Sequence, residues 1–208
     1  MKKNIFALAF VSTVLAASIF AQQKGDALAM YRAKRYDEGI AICKQELQAN
    51  PRNVESYVVL CWNLNGAKRF QEAETYALEA RKIDPKNTRL MEALAESRYY
   101  QGKNAPALEM FQLYVSNAPT DAGDYGWAYY YMGEIFIRQG RYEHADMSYS
   151  MATRIDPVKA LWWSRCGYAR EMAGSYASAL EAYNKAVALD SRQTDAARGR
   201  ERVASKVR

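Results

Sequence analysis

The side chains that most often carry out chemistry are sparse in this 208-residue chain. Histidine occurs once, at His144, and cysteine three times, at Cys43, Cys61 and Cys166. A zinc site usually takes several Cys or His ligands, and a catalytic nucleophile needs a base beside it. One histidine and three dispersed cysteines suit neither arrangement, and the glycines form no phosphate-binding loop. We therefore expect no enzyme activity, no metal site and no cofactor.

The cysteines also make a poor disulfide framework, because their number is odd and their spacing is irregular. The favoured interpretation is three small buried apolar side chains. Cys43 and Cys61 could lie on neighbouring helices and form a bridge in an oxidising compartment, which is the less favoured alternative. His144 is expected to be an exposed surface residue.

The first 21 residues have the layout of a secretory signal peptide. Lys2 and Lys3 precede an apolar run from Ile5 to Phe20, and Ala21 suits the position before a cleavage site. The run is shorter than the roughly 20 apolar residues that a bilayer-spanning helix needs. We predict cleavage after Ala21 and an exported protein, periplasmic or secreted. A retained membrane anchor is the alternative.

The net charge of +6 comes from the two ends of the chain. Residues 4–191 carry equal numbers of acidic and basic side chains, so the body shows no basic footprint for nucleic acid. Residues 194–208 are predicted to form a basic C-terminal capping helix or tail, with Ala197, Val203 and Val207 as its buried stripe. Contact of this tail with an anionic membrane or with nucleic acid is an alternative.

A short phrase recurs along the chain at a spacing of 34 or 38 residues. QANP, KIDP, SNAP and RIDP end at Pro51, Pro85, Pro119 and Pro157, and ALDS closes a fifth copy at Ser191. Small residues keep register with these phrases at Gly39, Ala73, Ala107, Ala145 and Ala179. A period of this size indicates stacked helix pairs, and small residues let two helices approach closely.

The fold class predicted from this pattern is all-α: a solenoid of five antiparallel helix pairs plus a C-terminal capping helix. The five units span about 22–53, 54–87, 88–121, 126–159 and 160–193. Gly102, Gly140 and Gly174 suit the left-handed turn that ends a first helix. Four extra residues, 122–125, are placed in the loop before the fourth unit.

The pattern resembles the tetratricopeptide repeat family, whose motif opens with Trp-x-x-Leu-Gly-x-x-Tyr. Matching positions in the second, fourth and fifth units hold Tyr57, Leu60, Cys61 and Leu64; Tyr129, Met132, Gly133 and Phe136; and Trp163, Cys166, Gly167 and Arg170. The resemblance covers residues 24 to about 193. It implies that the solenoid is a right-handed α-α superhelix and that the protein is non-catalytic and holds other proteins.

In that family the first helix of each unit lines a concave groove, and its inward positions recur three and four residues apart. Carried onto this chain, the candidate partner-binding residues are Tyr31, Val58, Trp62, Glu92, Glu96, Tyr99, Trp127, Tyr130, Glu134, Tyr168 and Glu171. The resemblance implies partly exposed aromatic side chains there, which are candidate hot spots. Glu96 and Glu134 are expected to form an acidic centre that suits a peptide with apolar anchors and a Lys or Arg. The alternative is that the superhelix curls and the aromatic rings pack on one another.

Family members that grip a C-terminal carboxylate use Lys and Asn at inward positions. This chain has Val58, Trp62, Glu92 and Glu96 there, so that clamp is not expected. The leading hypothesis is a bacterial periplasmic scaffold that binds segments of a protein or peptide partner. A periplasmic chaperone or assembly factor for outer-membrane proteins is the second hypothesis.

Overall fold

The computed structural model describes residues 26–207, so the predicted signal peptide lies outside the described residues. This part of the chain forms eleven α-helices and contains no β-strand. The helices are α1 (Ala27–Arg32), α2 (Tyr36–Ala49), α3 (Val54–Gly66), α4 (Phe70–Ile83), α5 (Thr88–Tyr100), α6 (Asn104–Asn117), α7 (Tyr125–Arg138), α8 (Tyr142–Ile155), α9 (Ala160–Met172), α10 (Tyr176–Leu189) and α11 (Thr194–Ala204). Over the same range, no helix has the length and apolar character needed to cross a membrane.

The helices form an α-α solenoid of five pairs closed by α11, as the repeat pattern predicts. Each helix packs against the next, and first helices of neighbouring pairs also meet, α1 with α3, α3 with α5 and α5 with α7. Residues on the first helices therefore form one continuous face that runs along the array.

Helix starts and stops follow the local sequence. The side chains of Asp26, Asn53 and Asn87 accept hydrogen bonds from backbone N–H groups in the first turns of α1, α3 and α5. These N-caps satisfy donors that have no partner inside the helix.

The turn within each pair needs one residue in the left-handed conformation. Gly102, Gly140 and Gly174 have φ between 69° and 81° in the last three pairs, as predicted. In the first two pairs the same turn is made by Lys34 and Lys68, with φ of 59° and 60°. A lysine pays a conformational cost there that glycine does not.

In the fourth and fifth pairs, a glycine on the first helix packs against a tyrosine ring on the second helix. A Cβ added to Gly133 would lie 2.6 Å from the ring of Tyr149, and one added to Gly167 would lie 2.7 Å from the ring of Tyr183. Both tyrosines are fully buried. The small-residue positions therefore serve close helix packing, as the sequence predicts.

The connection between α6 and α7 differs from the others between units. It spans residues 118–124, whereas every other connection between described units has four residues. The prediction that residue 125 lies in this loop is wrong, because Tyr125 begins α7. The side chain of Tyr125 is buried, and its ring centroid lies 6.3 Å from that of Tyr114. Its hydroxyl donates a hydrogen bond to the backbone carbonyl of Val115 at 2.9 Å.

The last helix caps the solenoid, but with a different buried stripe from the predicted one. Ala196, Gly199 and Val203 are buried, whereas Val207 is 37% exposed and Ala197 is only partly buried. The reason is that α11 ends at Ala204, and Gly199 lies directly against the ring of Tyr183.

Candidate functional site

The first-helix face contains a cavity of about 320 Å³, which we name the groove cavity. It reaches across four successive units, from α1 to the start of α7. Four aromatic and three acidic residues line it: Tyr31, Trp62, Glu92, Glu96, Asp124, Trp127 and Tyr131. Aromatic walls with a few polar groups are typical of binding cavities.

Neutral donors hold the two glutamates of the groove cavity. The indole Nε1 of Trp62 donates to Glu92 at 3.2 Å, and the amide Nδ2 of Asn65 donates to Glu96 at 3.1 Å. Desolvation raises the pKa of Glu96 to about 7, with Asp124 adding repulsion. Desolvation, together with repulsion from Glu96 and Asp124, raises the pKa of Glu92 well above its usual range. The cavity therefore holds carboxyl groups that lack a compensating charge.

Glu134 does not belong to this acidic centre, contrary to the expectation that it would join Glu96. Its carboxylate accepts hydrogen bonds from Arg165 at 2.5 and 2.8 Å and from the hydroxyl of Tyr149 at 2.6 Å. The acidic centre instead consists of Glu92, Glu96 and Asp124.

Two predicted groove residues lie in the core, and the carboxylate of a third is bonded to other side chains of the protein. Val58 is fully buried and Tyr99 is 7% exposed, because the neighbouring first helices cover this side of α3 and α5. The side chain of Glu171 is 9% exposed and is bonded to Arg202 and to the hydroxyl of Tyr183. None of these three presents its side chain to the groove cavity.

The aromatic residues of the groove both pack on one another and leave open surface. Trp127 lies 5.1 Å from Trp162 and 5.3 Å from Tyr130 between ring centroids, and Tyr31 lies 5.9 Å from Trp62. Tyr31, Trp62 and Trp127 nevertheless remain partly exposed and line the groove cavity. The two alternatives left open by the sequence thus coexist in one face.

Sequence reasoning missed two residues of the groove cavity, Tyr131 and Asp124. Tyr131 lies one position beyond the selected Tyr130, and its ring stacks on Phe111 at 5.4 Å. Asp124 lies in the long connection before α7, where the repeat register gives no guidance. The only available signal was an acidic residue inside the extra segment.

A second cavity, of about 420 Å³, is lined by residues of α9, α10 and α11. It contains the predicted groove residue Tyr168 and several basic side chains, among them Arg165, Arg198 and Arg202. Arg165 and Arg202 are paired with glutamates, and the amine of Lys206 lies 4.6 Å from the centre of the Tyr176 ring. Part of the positive charge near the C-terminus is therefore used within the fold.

The cysteines are placed as structural side chains. All three are buried and free, so Cys43 and Cys61 form no bridge in this structure. Burial raises the pKa of the Cys43 and Cys166 thiols to about 12 and that of Cys61 far above its usual range. Such thiols carry little of the reactive thiolate form. His144 is exposed, as expected.

Comparison with known proteins supports the repeat assignment from two directions. Residues 130–196 match the family model described as tetratricopeptide repeat. A crystal structure of MamA superposes with a TM-score of 0.71 at 19% identity, covering 82% of this chain and 97% of that one. The crystal structure of YrrB, "a TPR protein with an unusual peptide-binding site", gives a TM-score of 0.69 at 16% identity and covers 89% of this chain and 97% of its own.

Residues 130–196 therefore contain tetratricopeptide repeats, and the described chain has the fold of a tetratricopeptide repeat protein. A third solved structure contains residues 41 to the end of MamA from Desulfovibrio magneticus RS-1. It superposes with a TM-score of 0.68 at 19% identity and covers 81% of this chain and 98% of that chain. Identities this low show a shared fold. No curated protein sequence matches the chain.

Proposed function

We propose that this protein is a non-catalytic scaffold that binds a segment of a partner protein along its first-helix face. The observation that carries the proposal is the groove cavity, which crosses four units and keeps Tyr31, Trp62 and Trp127 partly exposed. Large aromatic side chains in such a position are typical hot spots of protein interfaces. The peptide-binding site of the similarly folded YrrB supports the same use of the fold.

Site-specific photo-crosslinking tests this proposal. A benzoylphenylalanine placed at position 31, in the lining of the groove cavity, is expected to capture partner proteins in the cells that make this protein. The control replaces Met147, which is 69% exposed on the second helix α8. Adducts at position 31 should disappear when Trp62→Ala and Trp127→Ala are combined, because the two indoles supply most of the apolar contact.

The crosslinking comparison requires that the Trp62→Ala, Trp127→Ala double variant is folded, which circular dichroism checks through its helical signal. Equal capture at positions 31 and 147, or unchanged capture at position 31 in a folded double variant, would refute binding through the groove.

The scaffold is further proposed to act in the bacterial periplasm after removal of its first 21 residues. The support is the sequence alone: Lys2 and Lys3, the apolar run to Phe20, and Ala21 before the cut. Mass spectrometry of the protein from fractionated cells is expected to find a mature N-terminus at Gln22 in the periplasmic fraction. An intact N-terminus in the membrane fraction would favour a retained anchor instead.

A further inference from the structure

Carboxylates elsewhere on the first-helix face are paired with an arginine from the following first helix. Glu134 on α7 is held by Arg165 on α9 through two hydrogen bonds of 2.5 and 2.8 Å. Glu55 on α3 is held in the same way by Arg89 on α5, at 2.9 and 2.6 Å. Two parallel N–H···O bonds make these strong, directional contacts.

Glu96 breaks this pattern for a reason that the repeat register makes visible. It occupies in the third unit the position that Glu134 occupies in the fourth. The position that holds Arg165 in the fifth unit holds Tyr131 in the fourth, two residues before Gly133 as Arg165 is two before Gly167. Glu96 therefore shares its cavity with the phenol ring of Tyr131, whereas the equivalent Glu134 is paired with a guanidinium.

The cavity next to Glu96 collects two further carboxylates and no cation. Among residues 26–207, no Lys or Arg forms an ion pair with Glu92, Glu96 or Asp124. Asn65, which is 7% exposed, donates to Glu96, but its amide oxygen has no hydrogen-bond partner in the described chain. A buried acceptor without a donor is costly unless a ligand supplies one.

We propose that the groove cavity binds the cationic head of an arginine or lysine side chain that the partner segment supplies. This inference rests on the proposed function and names the chemistry of the partner. The incoming cation takes toward Glu96 the role that Arg165 takes toward Glu134, and Glu92 and Asp124 add negative charge. The faces of Trp62 and Trp127 supply cation–π contact on the cavity wall.

A pair of blocked amino acids that differ only in charge tests the inference. N-acetylarginine methylamide should shift the indole N–H resonance of Trp62 in a saturable manner, since that group donates to Glu92. The citrulline analogue has nearly the same shape without the charge and should leave the resonance in place at the same concentration. Equal shifts with both compounds would overturn the inference.

A short peptide separates a partner segment from a free organic cation as the source of the charge. Acetyl-Leu-Arg-Leu-amide should bind more tightly than the blocked arginine, because its flanking side chains can bury the exposed indoles. If the blocked arginine binds as tightly as the peptide, the cavity is a small-cation site and the assignment to a partner segment fails.

Three variants of the protein locate the effect. Glu92→Gln and Glu96→Gln should each weaken arginine binding about tenfold or more, since each removes one charge-assisted contact. Tyr131→Arg should abolish binding, because it restores in the fourth unit the arginine that the fifth unit has. Glu55→Gln removes a charge from the same face outside the cavity and should leave affinity unchanged. Unchanged affinity in folded Glu96→Gln and Tyr131→Arg would overturn the inference.

Crosslinking of these variants distinguishes a failure of the cation site from a failure of the scaffold proposal. If folded Glu92→Gln and Glu96→Gln retain crosslinking from position 31 while Trp62→Ala with Trp127→Ala loses it, the scaffold stands and the cation site falls. If none of these variants changes crosslinking, the groove itself is not the binding face.

Discussion

The guanidinium of Arg202 on α11 donates two hydrogen bonds, of 2.9 and 2.8 Å, to the carboxylate of Glu171 on α9. The hydroxyl of Tyr183 donates to the same carboxylate at 2.8 Å. Glu171 therefore joins the capping helix to both helices of the fifth unit, which explains why a predicted groove residue is unavailable to a partner.

Arg202→Gln is expected to lower the free energy of unfolding by about 1 kcal/mol at pH 7, because the largely buried carboxylate of Glu171 keeps only Tyr183 as a donor. Urea denaturation measures this. The hydrogen bond from Arg202 holds the pKa of Glu171 below its usual range, so the loss should be present at pH 7 and vanish as the pH falls through that lowered pKa. Lys185→Gln, on the exposed side of α10, should change nothing. An equal loss for both variants contradicts the assignment.

Gly199→Ala is expected to cost about 1–3 kcal/mol, because the new Cβ would lie 2.2 Å from the ring of the fully buried Tyr183. The midpoint of thermal unfolding should fall accordingly. Gly123→Ala serves as the matched control, since no atom lies within 4 Å of its new Cβ. A stable Gly199→Ala protein would mean that α11 does not pack on Tyr183 as described.

Lys68→Gly is expected to stabilise the protein by about 0.5–1 kcal/mol. Its φ of 60° strains a residue with a Cβ, and glycine relieves that strain at some cost in chain entropy. Urea denaturation compares it with Lys68→Ala, which removes the same charge and keeps the strain. If both substitutions stabilise equally, charge rather than backbone conformation is the cause.

The groove cavity should make stability depend on pH between about 5 and 8. Burial raises the folded-state pKa of Glu96 to about 7 and also raises that of Glu92, so the folded protein binds more protons than the unfolded chain in this interval. Their protonation favours folding fully below the unfolded pKa of about 4.5, and this contribution is lost as the pH rises through the folded pKa. Urea denaturation at pH 5, 6, 7 and 8 should show a fall of about 1–3 kcal/mol.

Glu96→Gln should reduce that pH dependence, whereas Glu55→Gln should keep it. The sign reverses for the proposed cation, which binds the ionised carboxylates, so its affinity should fall as the pH drops below about 7. A pH dependence that survives in Glu92→Gln combined with Glu96→Gln would place its source elsewhere in the protein.

The repeat architecture could be predicted because the same sequence signals recur in successive units. Prolines, small crossing residues and the three turn glycines recur at fixed spacing, and each marks a local requirement of a helix pair. The left-handed conformation of Lys34 and Lys68 could not be predicted, because lysine rarely adopts a positive φ and so does not indicate such a turn.

For the groove, the sequence predicts which helix face the residues occupy, but not which of them are buried or paired. The resemblance to the tetratricopeptide repeat family implies Trp62, Glu92, Glu96 and Trp127 as inward residues, and the structure brings them together in one cavity. The burial of Val58 and Tyr99 depends on how closely neighbouring first helices approach, which no single unit encodes. The pairing of Glu134 with Arg165 depends on the next unit, and Asp124 lies where the register is interrupted.

The break in the repeat spacing before α7 separates the first three units of the solenoid from the last two. The long connection before α7 leaves the third and fourth units with the smallest interface of any neighbouring units in the described chain. In a one-dimensional stack, coupling between neighbours determines how much of the array unfolds as one block. We therefore expect the α1–α6 and α7–α11 segments to unfold as two cooperative blocks. The groove cavity is lined by residues of both segments. We therefore expect a bound partner to couple the two segments, so that the whole solenoid unfolds in one transition.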